Sequence, residues 1–138
     1  SIKSNLPVSL KREELAAAFL FSMPGPKMIW QFGELGYDIS IDYNGRTGEK
    51  PVKWDYYTDA NRKALYDAYA KFIQLKKNNG IFNATIATYD LVSGIKFIKL
   101  TEAANTVVVV GNFDVVDKTA NIDFGSTGYF VSRRISYL

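Results

Sequence analysis

Two residue types are missing from this 138-residue chain: cysteine and histidine. Without cysteine there is no disulfide framework, no thiolate nucleophile and no zinc–thiolate site. Without histidine, Ser-His-Asp chemistry, histidine-ligated metals and histidine proton shuttles are excluded. Any catalysis by the chain would therefore depend on carboxylates, lysine, tyrosine or hydroxyl groups.

Long hydrophobic runs are lacking as well. No apolar stretch approaches the roughly 20 residues that a membrane-spanning helix needs, and no charged-then-apolar leader indicates a signal peptide. We therefore expect no membrane span. The sequence does not determine the cellular compartment, because an internal piece of a secreted or periplasmic protein would also lack a leader.

Basic residues only slightly outnumber acidic ones, 17 to 14, giving a formal net charge of +3. They are scattered in pairs, such as Lys76-Lys77 and Arg133-Arg134. A nucleic-acid-binding face usually carries a denser basic stripe, so we expect no nucleic-acid partner. Hydrophobic residues make up 47% of the chain, which is typical of a globular protein with a sizeable core.

The sequence predicts two helices. Ser9 can cap the first, from Leu10, because a serine oxygen accepts hydrogen bonds from first-turn N–H groups. Residues 15–21 are apolar nearly all round, which indicates packing on more than one side, and the Pro-Gly-Pro at 24–26 ends the helix. Thr58 or Asp59 caps a second helix that runs to about Lys77. Its predicted inner face consists of five residues at helical spacing: Leu65, Tyr69, Phe72, Ile73 and Lys76.

A short apolar run and a long polar loop lie between the two helices. Residues 28–32 do not alternate between apolar and polar, which predicts a strand covered on both faces, as in parallel sheets. Residues 37–59 contain the turn signals Asn44-Gly45 and Thr47-Gly48. Loops of this length are uncommon and are usually functional or disordered.

From Ile81 onward the sequence is typical of β-structure. Residues 95–100 and 106–110 have the composition of β-strands, and Asn, Gly and Asp residues separate such runs. The predicted fold class is α+β, with two or three helices against a small antiparallel sheet or half of a sandwich. We divide the chain into a first unit, residues 1–80, and a β-rich unit, residues 81–138.

The predicted strand at residues 28–32 presents a physical problem, because a lone parallel strand can neither pair its backbone groups nor cover both faces. We therefore expect the first unit to be part of a larger sheet. In this chain the strand should pack on the β-rich unit or pair with another chain, so we expect self-association by strand addition. An exposed, unpaired segment would contradict this expectation.

Residues 24–38 resemble the segment around the eighth barrel strand of the α-amylase family of glycoside hydrolases. That segment has a Pro-Gly turn, an apolar strand and a Gly/Glu/Gly cluster. Phe32 stands where many members have Gly. The second helix resembles the last barrel helix, and the β-rich remainder resembles the antiparallel domain C. The sequence of the loop is most similar to that of bacterial enzymes of the Bacteroidetes type. The matching positions are Pro24, Gly25, Glu34, Gly36, Arg46, Pro51 and Trp54.

The resemblance implies a terminal helix–strand–helix piece of a (β/α)8 barrel followed by domain C. The family hydrolyses α-glucans such as starch with retention, through two carboxylates roughly 5 Å apart. In the family these carboxylates, a third Asp and the calcium site lie upstream of the matching segment. The resemblance thus implies no catalytic residue, metal or cofactor here, and a chain that alone is inactive.

Five residues are candidates for the rim of the parent's sugar cleft. Glu34, Tyr37 and Asp38 follow the predicted strand's carboxyl end, which is the active-site face of a barrel. Alternatively, Glu34 braces the loop by hydrogen bonds and Tyr37 packs. Arg46 and Trp54 either frame the cleft, with Trp54 stacked on a sugar ring, or pin the long loop to the barrel.

Other candidate residues favour structural roles. Residues 42–46 resemble a calcium loop but lack its spaced terminal Glu, so a turn is expected. Asp114 and Asp117 are expected to be solvated turn acids rather than a catalytic pair. Aromatic residues around the second helix are expected to pack, although such residues also bind glucans. The alternative to a hydrolase fragment is therefore a stand-alone carbohydrate-binding module.

Overall fold

The computed structural model describes residues 4–125, in which two α-helices and a three-stranded antiparallel sheet form an α+β fold. The sequence order of the strands is also their order in the sheet. Short 3-10 helices occupy Gly33–Leu35, Trp54–Thr58 and Gly80–Asn83. The main elements are α1 (Leu6–Ser22), α2 (Ala60–Asn78), β1 (Ile86–Asp90), β2 (Ile95–Glu102) and β3 (Asn105–Asn112).

Helix α1 begins earlier than the sequence predicted. Its cap is Asn5, whose side-chain oxygen accepts a hydrogen bond from the Val8 N–H at 3.3 Å, and Pro7 lies in the first turn. Ser9 is therefore inside the helix, where its N–H donates to the Asn5 carbonyl. The prediction of a Ser9 cap is wrong because Pro at the first helical turn and Asn at the cap are an equally good start signal. The end of α1 at Ser22, before Pro24, is confirmed.

Helix α1 packs on two sides, as predicted. Leu15 and Phe19 join a buried cluster with the inner face of the sheet, including Ile98 and Leu100. Its other side joins the α2 residues Leu65 and Tyr69 in a second cluster with Leu10, Ala17 and Phe21. The helix thus lies between α2 and the sheet, which explains its apolar circumference.

The sheet is a meander whose register places alternate apolar residues on one face. Ile98 pairs with Val109, and Leu100 pairs with Val107 on β3. Gly111 lets α1 approach β3, because a Cβ there would lie 2.8 Å from side-chain carbons of both Leu15 and Phe19. Strands β2 and β3 confirm the two predicted β runs. Strand β1 had not been singled out in the sequence.

Helix α2 confirms its predicted cap and inner face. The Asp59 carboxylate accepts hydrogen bonds from the Asn61 and Arg62 N–H groups. Leu65 and Tyr69 are buried, and Phe72 and Ile73 pack beside them. Lys76 donates to the carbonyls of Met23 at 2.9 Å and Phe82 at 3.0 Å, so it ties α2 to both neighbouring segments.

The predicted strand at residues 28–32 is wrong. This segment has no strand pairing, and it ends in a turn in which the Gly33 N–H donates to the Trp30 carbonyl. Met28 is 77% exposed and Trp30 61% exposed. The prediction rested on apolar composition alone, whereas a buried strand also needs neighbouring strands, which these residues do not have. The segment is exposed and unpaired, which removes the basis for self-association by strand addition.

Some expectations concern parts that the structure leaves undescribed. Arg133-Arg134 and the end of the β-rich unit lie outside residues 4–125. The boundary between the two proposed units stays a prediction. Neither helix in the described part of the chain is long and apolar enough to cross a membrane.

Candidate functional site

The start of the loop between α1 and α2 is held by one arginine of α2. Arg62 is 6% exposed, and its guanidinium donates to the carbonyls of Leu35, at 2.9 Å, and Gly36. It also donates to the Asp38 carboxylate at 2.9 Å and lies 3.8 Å from the centre of the Tyr56 ring. The guanidinium thus ties the loop to helix α2 at three points, which are the Leu35 carbonyl, the Gly36 carbonyl and the Asp38 carboxylate.

Asp38 is engaged through both of its carboxylate oxygens. The Tyr56 hydroxyl donates to one oxygen and Arg62 to the other. Partial desolvation works to raise the pKa of Asp38, but the hydrogen bonds from Tyr56 and Arg62 outweigh it and lower that pKa. Asp38 is therefore ionised at neutral pH, so it serves as a hydrogen-bond acceptor and not as a general acid.

Tyr37 and Trp54 meet around Phe32. The Tyr37 ring stacks on Phe32 with centroids 6.0 Å apart, and Trp54 contacts Phe32 edge-on at 4.8 Å. The Tyr37 hydroxyl donates to the Pro51 carbonyl at 2.6 Å, which ties the two ends of the loop together. Trp54 remains 69% exposed. Trp54 thus packs on Phe32 and still presents an open ring, and its two predicted roles stay predictions.

Phe32 adopts a backbone conformation that favours glycine, with φ of 55°. Its two ring contacts, with Tyr37 and Trp54, offset the conformational cost of this left-handed backbone.

The structure does not bring Arg46 to the other candidates. Arg46 is exposed, and within residues 4–125 no hydrogen bond or ion pair holds it. Its loop is pinned instead by Lys50, which is 8% exposed and donates to the carbonyls of Tyr43, at 2.6 Å, and Gly45. The expected turn at residues 42–46 is confirmed, with Asn44 and Gly45 at positive φ.

Glu34 lies in a cleft between residues 29–34 and helix α2. The cleft has a volume of about 350 Å³. Within the described range, the Glu34 carboxylate makes no hydrogen bond or ion pair, so the structure gives no support to its bracing the loop. The cleft is lined by Ile29, Trp30, Gln31, Phe32, Glu34, Tyr66, Tyr69, Ala70 and Ile73.

The cleft continues into a rim of aromatic side chains. Tyr66 contacts Tyr57 edge-on at 5.2 Å, and both are partly exposed. Tyr69 closes the floor against Phe21, and burial together with the nearby carboxylates of Glu13 and Glu34 raises the pKa of Tyr69 to about 12. The expected packing role is confirmed for Tyr69, whereas Tyr57 and Tyr66 also present open ring surface.

Sequence reasoning missed Arg62 and Lys50. Arg62 had a detectable signal, because it precedes Leu65 by three residues and Tyr69 by seven, which places it on the apolar face of α2. A charged residue on such a face needs a buried partner. Lys50 had no such signal, because it lies in an irregular loop.

Asp114 has a structural role. Asp114 pairs with Lys118 at 2.7 Å and accepts from the Val115 N–H, as expected of a turn acid. No group of three or more potential metal ligands occurs in the part of the chain that the structure describes.

No protein-family model matches the sequence, and no curated protein matches it either. Any assignment of function must therefore come from the residues and the geometry above.

Proposed function

We propose that this chain is the C-terminal part of an α-amylase-type glycoside hydrolase acting on α-glucans such as starch. The observation that supports the proposal most is the uncovered apolar segment with Met28 and Trp30 between two mutually packed helices. The segment forms no strand in this chain. A segment that becomes a barrel strand only beside its neighbours would present such a surface when they are absent. The chain also has an antiparallel sheet after α2, which the proposal takes as domain C.

In the proposed parent, this chain completes the barrel and shapes one side of the sugar cleft. Arg62 fixes the turn that carries Glu34 and Asp38, and Phe32 fixes Trp54. The catalytic carboxylates and any calcium ion belong to the upstream part. The chain alone therefore has no glycosidase activity, and Asp38 and Trp54 contribute to substrate positioning only.

The first test is the translated reading frame upstream of Ser1. We expect a barrel with an Asp, a Glu and an Asp after its fourth, fifth and seventh strands. The complete protein should then release reducing ends from starch, whereas the present chain should not. A reading frame that begins near Ser1 would refute the hydrolase proposal.

A second candidate is a stand-alone carbohydrate-binding module, which is favoured by the exposed aromatic rings of Trp54, Tyr57 and Tyr66. It predicts that maltoheptaose binds the isolated chain and that Trp54→Ala weakens binding by about tenfold, since ring stacking of this kind carries about 1–2 kcal/mol. Tyr89→Ala is the matched control, because Tyr89 is an exposed aromatic residue on β1. Flat calorimetry with maltoheptaose would exclude this candidate.

A further inference from the structure

We propose that the cleft between residues 29–34 and helix α2 binds a small methylated ammonium cation, with choline as the model ligand. This inference goes beyond the proposed hydrolase function and concerns the chain described here, because neighbouring barrel strands in the proposed parent would cover Trp30. It rests on the cleft's walls and on the charge that they carry.

The walls are aromatic on both sides. Trp30 lines the loop side and Tyr66 the α2 side, and both side chains are partly exposed. Phe32 and Tyr69 also line the cleft, but Phe32 stacks on Tyr37 and Tyr69 is buried against Phe21. Aromatic faces attract cations through the ring quadrupole, most strongly for Trp, and a set of such faces is a known way to hold quaternary ammonium groups. The volume of about 350 Å³ accommodates a ligand of that size.

Among the residues that the structure describes, Glu34 is the only charged one that lines the cleft. No cation of the described chain forms an ion pair with it, and Lys63 of α2 is paired with Asp67 at 2.8 Å. The cleft therefore combines aromatic faces with an uncompensated negative charge, and both features favour a cation.

The chemistry of the lining selects among cations. A metal ion needs several oxygen ligands, and the cleft supplies one carboxylate. A primary ammonium needs three acceptors, whereas N-methyl groups need only apolar contact, which Ile29, Ala70 and Ile73 supply. A neutral sugar would need several polar partners, but the Gln31 amide already donates to the carbonyls of Lys50 and Pro51.

The test uses the chain's two tryptophans as reporters. Each indole N–H gives one signal in a ¹H–¹⁵N spectrum, and Trp54→Phe leaves only the signal of Trp30. We expect choline to shift the Trp30 signal saturably and to shift the Trp54 signal less. The neutral carbon isostere of choline, dimethylbutanol, should bind about tenfold more weakly, because it has the same shape without the charge.

Two variants test whether the negative charge of Glu34 contributes to choline binding. Glu34→Gln should weaken choline binding by about tenfold and leave dimethylbutanol binding unchanged. Glu49→Gln is the matched control, since Glu49 is an exposed loop acid that does not line the cleft, and it should bind choline like the unchanged chain.

Three results would overturn the proposal. Equal binding of choline and dimethylbutanol would show an apolar cleft without cation selectivity. A Trp30 shift with maltoheptaose but not with choline would show a sugar site. A Trp30 signal that depends on protein concentration alone would show that a second copy of the chain occupies the cleft.

Discussion

The sheet and the loop between the helices are held together in different ways. In the sheet, neighbouring strands pair their backbones, and Ile98 and Leu100 are buried against α1. The loop, residues 33–59, has no strand and only short 3-10 turns. Side chains bind its backbone instead, above all those of Arg62, Lys50 and Tyr37. The stability of the sheet should therefore depend on buried apolar volume. The conformation of the loop should depend on a few hydrogen-bond donors.

The largest expected effect belongs to the sheet. Leu100→Ala removes a fully buried side chain and leaves a cavity, which should lower the free energy of unfolding by about 3–4 kcal/mol. Urea unfolding measures this change. Leu91→Ala is the control, because Leu91 is 40% exposed in the turn after β1 and should cost less than about 1 kcal/mol. Similar losses for both variants would contradict a sheet core centred on Leu100.

Arg62→Met should have the next largest effect, because it removes the donor that holds the loop. The side chain keeps much of its volume, but the carbonyls of Leu35 and Gly36 lose their charged partner. We expect a loss of about 2–3 kcal/mol in urea unfolding. The control is Lys63→Met on the same helix. Its pair with Asp67 is solvent-exposed and screened, so this variant should unfold at nearly the same urea concentration as the unchanged chain.

Arg62→Met also shows whether Arg62 stabilises the loop alone or the sheet as well. If the loop is held as proposed, the variant should increase amide exchange in residues 33–38 more than in β2. Uniform protection loss in both regions would show that Arg62 stabilises the whole fold rather than the loop.

The two regions also differ in how well the sequence predicts them. The β-type composition of β2 and the helical spacing along α2 are local features, so both elements could be predicted. The contacts of the loop join residues far apart in sequence, such as Arg62 with Leu35, and no periodic pattern encodes them. The same limit explains the failure at residues 28–32. Their apolar composition is local, whereas the covering that makes a buried strand is not.

For the candidate site, sequence reasoning found the residues better than their partners. Tyr37, Asp38 and Trp54 do lie around one structural unit, the turn fixed by Arg62 and Phe32. Arg46 does not join them. The cleft beside Glu34 required knowledge of α2's position, because two of its aromatic walls come from residues more than thirty positions downstream.

Gly36→Ala tests close packing at the point where the loop meets α1. Gly36 has φ of 67°, and an added Cβ would lie 2.2 Å from Leu10 Cδ2. Strain and the clash together should cost about 2 kcal/mol. Gly45→Ala separates the two terms, because Gly45 has φ of 76° but nothing near its Cβ position. It should cost about 1 kcal/mol, and equal losses would mean that Leu10 moves aside freely.

The smallest expected effect is a difference in pH dependence between two carboxyl groups near Arg62. Asp38 has a pKa below its ordinary value of 3.8, because the hydrogen bonds from Tyr56 and Arg62 outweigh its desolvation. The stability that it contributes is therefore present above pH 3.8 and is lost as the pH falls through its folded-state pKa. Asp38→Asn should consequently lose stability relative to the unchanged chain at neutral pH, and this difference should shrink below pH 3.8.

Glu13 on α1 should show the opposite sign. Desolvation by burial raises its pKa above 4.5, and the Arg62 charge only partly opposes this shift. The folded state then holds the Glu13 proton more tightly than the unfolded state, so ionisation costs stability as the pH rises through the folded-state pKa. Glu13→Gln should gain stability relative to the unchanged chain above pH 4.5 and show no gain below it. Urea midpoints measured from pH 3 to 7 for both variants test the pair. Curves of the same sign would mean that Arg62 acts on both carboxyls as a salt-bridge partner, rather than being committed to Asp38 and the loop carbonyls.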